Sequence, residues 1–221
     1  GKANNQGMRL AKGEYIMLLN SDTVVLDHAL EKMVAYLDAH TDTMMLGPKV
    51  LNADHTFQHA CRRKLPTPAS SFYHLFGLVK IFRKNARVNA YKGYNREPNV
   101  TEPVEALSGA AMMFRRRVFE ATGGFDERFF MYGEDLDFSK QVFDHGWKTM
   151  FLHTAEIIHY GGASSNKRRS QSIVNFYDAM WLYYRKHWGT KHVLILQGVV
   201  WLGIKIRQVV ALLINAFKPK K

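Results

Sequence analysis

The stretch Gly123–Phe138, GGFDERFFMYGEDLDF, restricts the fold more than any other part of the chain. An aromatic approach, Phe125, Phe129, Phe130 and Tyr132 with Met131, runs into Gly133 as a pivot. Asp126 lies upstream, and Glu134, Asp135 and Asp137 cluster where a helix would begin. Leu136, Phe138, Val142 and Phe143 give that helix an apolar side, and Gly146 offers a stop. The helix dipole favours carboxylates in a first turn and keeps them ionised. An ionised carboxylate on a rigid helix end, beside aromatic walls, suits a general base acting on a hydroxyl. The same acids would also serve as plain dipole partners, so the rest of the chain has to weigh in.

Upstream, Tyr15–Leu19 (YIMLL) is a short apolar run bounded by polar residues, which reads as a buried strand. Asn20, Ser21, Asp22 and Thr23 follow it directly. Open α/β sheets place ligand sites at the carboxyl ends of such strands, which makes Asp22 a candidate on the metal or phosphate side. The alternative is that Ser21 or Asp22 caps the next helix, about residues 26–40, with Leu30, Met33, Val34 and Leu37 on one face. Met44–Leu51 reads as a second strand and Phe57–Arg63 as one crossing back. His55 and His59 stand in turn and strand context, where a spacing of four does not make a metal pair. Arg62, Arg63 and Lys64 either meet a diphosphate or form a solvated basic turn.

Phe72–Phe82, interleaved with basic residues, reads as a lid or surface helix. Val104–Phe114 returns to strand character, broken by Ser108-Gly109-Ala110-Ala111, small residues that let a ligand approach the backbone. Thr149–Leu152 and Glu156–His159 read as a strand pair. His159, ending its strand before Tyr160-Gly161-Gly162, is either a ligand or a structural histidine.

The formal charge is +12, which calls for an anionic partner such as nucleic acid, an acidic membrane face or a phosphorylated substrate. Nucleic acid is set aside, because the basic residues are scattered and no nucleic-acid motif is present. Cys61 is the single cysteine, which excludes an internal disulfide and a cysteine-based zinc site. Ser170–His187 reads as an aromatic amphipathic helix. In Val193–Phe217 the polar residues Gln197, Lys205, Arg207, Gln208 and Asn215 fall on one side at about 100° per residue. A clean span of about 20 residues is lacking, so this reads as an interfacial helix in a membrane surface, followed by the basic tail Lys218, Lys220 and Lys221. The alternative is a helix packed on other protein.

Taken in order, NNQG, AKGEYIMLLNSDT, SGAAMMFRR, GGFDERFFMYGEDLDF, GW and IIHYGGAS resemble the family 2 glycosyltransferases, most closely their rhamnosyltransferase-like branch. The resemblance covers about residues 1–187. It implies an α/β GT-A (Rossmann-like) fold with C-terminal amphipathic helices. The expected division is a catalytic domain over 1–165, the aromatic helix over 166–190 and a membrane-associating helix with its tail over 191–221. It also implies that a nucleotide-binding unit of about 80 residues would precede Gly1.

The resemblance further implies an inverting sugar transfer from a nucleotide-diphosphosugar, with rhamnose the sugar its branch suggests, assisted by a divalent metal, magnesium or manganese. The acceptor would be lipid-linked or a polysaccharide, at the cytoplasmic face of the cell membrane, with an anionic membrane surface as partner. Asp135 would be the base and Glu134 its orienting or acceptor-binding neighbour. Asp22 would hold the metal, with His159 as a late metal or diphosphate contact. Asn20 stands where many relatives carry an aspartate and would reach the cation or its water. Ser108, Gly109 and Asp137 would belong to the substrate groove. The competing expectation is a non-catalytic, glycan-binding remnant of such an enzyme.

Overall fold

A computed structural model describes residues 1–75, 96–161 and 168–217. Its centre is a mixed sheet. Strands β1 (Tyr15–Leu19), β2 (Thr23–Val25), β3 (Thr43–Leu51), β7 (Ala111–Arg115) and β8 (Lys148–His159) run in the order β1-β7-β3-β8-β2, and β5 (Glu102–Pro103) pairs with β8. Strands β3 and β8 are parallel, and β7 runs antiparallel to both β1 and β3. β3 is buried along almost its whole length, as its near-continuous apolar run requires when both sheet faces are covered. A second, two-stranded sheet joins β4 (Arg62–Arg63) to β6 (Ala106–Leu107).

The expected strand pair near residue 150 is one strand. β8 runs through twelve residues, and its partner register jumps from Pro48↔Leu152 to Lys49↔Glu156. That bulge absorbs the polar interruption, leaving the strand whole. The expected helix after Asp22 also begins later, because Thr23–Val25 first pairs with β8. Helix α2 (Ala29–Ala39) buries Met33 and Leu37, while Leu30 is exposed.

Helix α5 (Glu134–Asp144) packs Phe138 and Val142 into the core. Phe138 meets Phe114 and Phe125 edge-on, with centroids 5.1 and 5.0 Å away. Helix α1 (Lys2–Leu10) is pinned to the Gly123–Phe138 stretch by Asn5, which is 2% exposed. Its amide donates to Phe125 O at 2.8 Å and accepts from Phe125 N at 2.9 Å, so both ends of a buried side chain are satisfied. Helix α3 (Pro68–Leu75) and the short α4 (Arg116–Thr122) complete the body. The lid expected over Phe72–Phe82 extends past residue 75, outside the described residues.

Helix α6 (Arg169–Trp188) lays Ala179 and Tyr183 on Phe129, and α7 (Leu194–Ala216) packs along α6. An interfacial helix would turn its polar side to water, but the polar side of α7 faces protein. Lys205 pairs with Asp178 at 2.9 Å, and Asn215 donates to Ser170 Oγ at 3.1 Å. Gln208 reaches Val174 O, and Gln197 donates to Gly189 O and His192 O. The apolar side is left outward. With 23 residues and a mean hydropathy of 1.6, α7 is long and apolar enough to cross a membrane, although Lys205 and Arg207 interrupt it. The basic tail Lys218, Lys220 and Lys221 lies outside the described residues.

Candidate active site

Strands β1, β3 and β8 share one direction, so their carboxyl ends gather on one edge of the sheet. Asn20 and Asn52 follow the first two strands, and His159 ends the third. Thr23 lies opposite His159 in the ladder, and Tyr160 N donates to Asp22 O, which fixes the turn carrying Asp22 beside the histidine. Asp22 Oδ1 lies 3.3 Å from His159 Nε2, and Asn20 Nδ2 is also 3.3 Å from that nitrogen. His159 Nδ1 meets Gln58 Oε1 at 3.1 Å. The turn residues do not cap α2, whose N-cap is His28.

This group offers a carboxylate, an imidazole nitrogen and an amide oxygen once Asn20 turns. Among the described residues, no three His, Cys, Asp or Glu side chains stand together as a metal cage. These are donors that a divalent cation accepts, with its remaining ligands coming from outside the protein. The set does not fit a cation held by protein alone.

The second half of the site is the start of α5. Tyr132 and Gly133 both take left-handed φ values, 70° and 81°, and swing the chain sharply into the helix. A Cβ on Gly133 would lie 3.2 Å from the Phe129 ring, so this turn needs glycine twice over. The helix then presents Glu134 and Asp135 to a cavity of about 760 Å³. Asp135 Oδ2 accepts from Arg63 Nη2 at 2.5 Å and from Gly109 N at 3.1 Å, and Oδ1 accepts from Leu136 N at 2.8 Å. Arg63 and Asp135 are each 15% exposed, so the pair is mostly shielded from water. Gly109 belongs to the turn into β7. In that turn Ser108 donates its N–H to Cys61 O and accepts from Ala110 N.

Glu134 departs from the ionised first-turn acid expected of it. Burial, then the neighbouring Asp135 charge, push its carboxyl above the ordinary range, and Oε2 is buried with no partner among the described residues. Asp137 departs further. It is fully buried and held by Lys186 at 2.9 Å, His187 at 2.8 Å and Gln141 at 3.1 Å. It does not line the cavity. Lys186 also reaches Asp126, whose carboxyl lies well below the ordinary range because Arg128 and Lys186 hydrogen-bond to it.

Gln58 is a cavity residue that the sequence does not single out, and Arg63, expected at a diphosphate or in a solvated turn, meets Asp135 instead. Adjacent residues on a strand point to opposite faces, and that was the available signal. Arg62 is 1% exposed, bonded to Glu102 at 2.8 Å and stacked over the Phe57 and Phe151 rings. Arg63 faces the other way and meets the carboxylate of Asp135. A solvated basic turn is therefore the wrong description of this pair. Gln58 lines the cavity and bonds His159, linking the two halves of the site.

A model of the glycosyltransferase-like family 2 matches residues 1–174. An N-acetylglucosaminyl-diphospho-decaprenol L-rhamnosyltransferase of Mycobacterium tuberculosis is 28% identical over 138 residues, covering 62% of this chain and 44% of that protein. The O-antigen biosynthesis protein RfbC of Myxococcus xanthus is 27% identical over 172 residues, 77% of this chain and 12% of that protein. The low-salt glycan biosynthesis hexosyltransferase Agl10 of Haloferax volcanii is 27% identical over 139 residues, 61% of this chain and 40% of that protein. The chain thus spans under half the length of these relatives. A mixed α/β sheet with acidic and histidine side chains at its carboxyl edge agrees with a match over residues 1–174, and the chain belongs to the glycosyltransferase-like family 2, with a GT-A-like fold.

Proposed function

We propose that this chain carries the catalytic centre of an inverting glycosyltransferase. The enzyme moves a sugar from a nucleotide-diphosphosugar to a hydroxyl of a lipid-linked or polysaccharide acceptor. The relatives named for rhamnosyl transfer favour rhamnose as the sugar. The observation that carries the reading is Asp135, held by Arg63 and Gly109 N in the wall of a cavity that Gln58 also lines, with Gln58 hydrogen-bonded to His159 of the Asn20–Asp22–His159 group.

Asp135 is the base. Arg63 and the Gly109 N–H hold Oδ2, while Oδ1 has one hydrogen bond and keeps a lone pair for the acceptor hydroxyl. Glu134, which lines the cavity beside Asp135, holds the same hydroxyl or its sugar. The acceptor oxygen attacks the anomeric carbon as Asp135 takes its proton, and the bond from that carbon to the phosphate oxygen breaks with its electrons leaving on the diphosphate. Asp22, His159 and Asn20 would hold a magnesium or manganese ion. Such an ion, when bound, neutralises charge on the departing diphosphate. Asp137 serves by position: with Lys186 and His187 it anchors α6 to α5 and keeps the cavity wall in place. The outward apolar face of α7 and the +12 charge support a place at the anionic, cytoplasmic face of the cell membrane.

The test is donor turnover by the protein, on a panel of nucleotide sugars with manganese or magnesium. Asp135→Asn is expected to lower kcat by about 10²–10⁴-fold, with donor affinity within a few-fold of wild type. Turnover close to wild type would move the base elsewhere.

A further inference from the structure

Helix α7 presents apolar surface in two directions. Leu202, Ile206, Val209 and Leu213 form an outer stripe, each more than half exposed. On another side, Val199, Val200, Gly203 and Ile204 line the cavity that Arg63 and Asp135 also line. Val199 belongs to both surfaces, because it lines the cavity and is 62% exposed. The apolar exterior therefore continues over the edge of α7 into the interior of the site.

The cavity wall is mixed in chemistry. It carries Arg63, Glu134 and Asp135, and beside them Phe176, Met180 and Tyr183 of α6, Phe72 of α3 and the α7 residues. A nucleotide or a free glycan would set many of its hydroxyls and charges against the apolar side chains without partners, which is costly. A molecule with a polar head and a long hydrocarbon chain matches both kinds of wall. The volume, about 760 Å³, falls within the range of about 300–1,000 Å³ typical of small-molecule sites.

We propose that this cavity takes the hydrocarbon chain of a lipid-linked acceptor. The chain enters over α7 from the membrane side, the acceptor hydroxyl lies at Asp135, and the phosphate lies on the Arg63 side. This rests on the transferase reading and adds the path of the acceptor lipid. It also accounts for the direction of α7, whose polar side is spent on α6 while its apolar sides face the cavity and the exterior.

Gly203 provides the test. It lines the cavity, and a Cβ built there meets nothing within 4 Å. Gly203→Leu therefore fills cavity space without a backbone clash, and Leu is the better helix former. The protein is titrated with farnesyl phosphate and with isopentenyl phosphate, followed by tryptophan fluorescence; Trp188 lines the cavity. Farnesyl phosphate is expected to bind about tenfold or more tightly than isopentenyl phosphate, because its longer chain buries several more CH₂ groups. Gly203→Leu is expected to bring the two close to parity, and Gly203→Ala to change the ratio little. Equal binding of the two phosphates to wild type, or a preference that Gly203→Leu leaves intact, overturns the proposal. The titration uses no donor, so the two readings fail separately. No chain-length preference, with Asp135→Asn inactive, removes the lipid path and leaves the transferase; a clear preference with Asp135→Asn fully active does the reverse.

Discussion

Helices α5 and α7 are both amphipathic, and they are mounted in opposite senses. α5 sends Phe138 and Val142 into the core. α7 turns Lys205, Gln208 and Asn215 toward α6 and leaves Leu202, Ile206, Val209 and Leu213 outside. Around α5 the surrounding medium is water, so burial of apolar groups orients the helix. A helix turned inside out gains nothing from water, and contiguous exposed apolar surface of this kind marks an interaction site. The difference between the two helices is therefore a statement about what each one faces.

The hardest way to break the α5 side is to strip its buried anchor. Asp137→Ala leaves Lys186 with Asp126 alone and takes from His187 its buried carboxylate, and is expected to cost about 3–5 kcal/mol in denaturant unfolding. A loss below about 1 kcal/mol would mean that the network is effectively solvated. Next is Arg63→Ala, which removes a charge-assisted hydrogen bond to the base. It is expected to lower kcat by about 10–100-fold. Arg63→Lys should rescue little, because a point charge does not reproduce the planar fork.

On the α7 side, replacing Leu202, Ile206 and Val209 together by Gln is expected to cut co-sedimentation with phosphatidylglycerol-containing vesicles by about tenfold or more. Thermal stability in water should stay close to wild type, since these side chains are already exposed. A comparable loss of stability instead would show that the stripe packs on protein.

The smallest effect sharpens the α5 side. The Glu134 carboxyl is raised above 4.5 by burial and by Asp135, so the folded protein favours its protonated form. The cost of ionising it is absent below the unfolded value of about 4.5 and grows as pH rises through the raised value. Glu134→Gln should therefore match wild-type stability in acid and exceed it at neutral pH, as read from paired unfolding curves. A gap that closes with rising pH would contradict the burial argument.

Much of the frame was legible from local pattern. The run Tyr15–Leu19 is β1, the pivot at Gly133 opens α5, and the polar stripe of α7 is real. The position of Asn20 and His159 at strand ends was also legible, because a strand's end is a position that sequence can mark. The pairing of Arg63 with Asp135 was not, since 72 residues separate them. Nor was the burial of Asp137: in the sequence it is one more first-turn acid, and only Lys186 and His187, brought in on α6, decide that it lies inside.

By itself, the sequence determined where β1, β3 and the long helices run, which helix end collects the carboxylates, and which side of α7 is polar. These are properties of short windows, set by side-chain periodicity and backbone preference. Tertiary structure alone decided which carboxylate meets the cavity, which arginine meets the carboxylate, and which way α7 turns. Those outcomes depend on burial and on charges from distant segments, and desolvation is set by what surrounds a group in space, not by its neighbours in the chain.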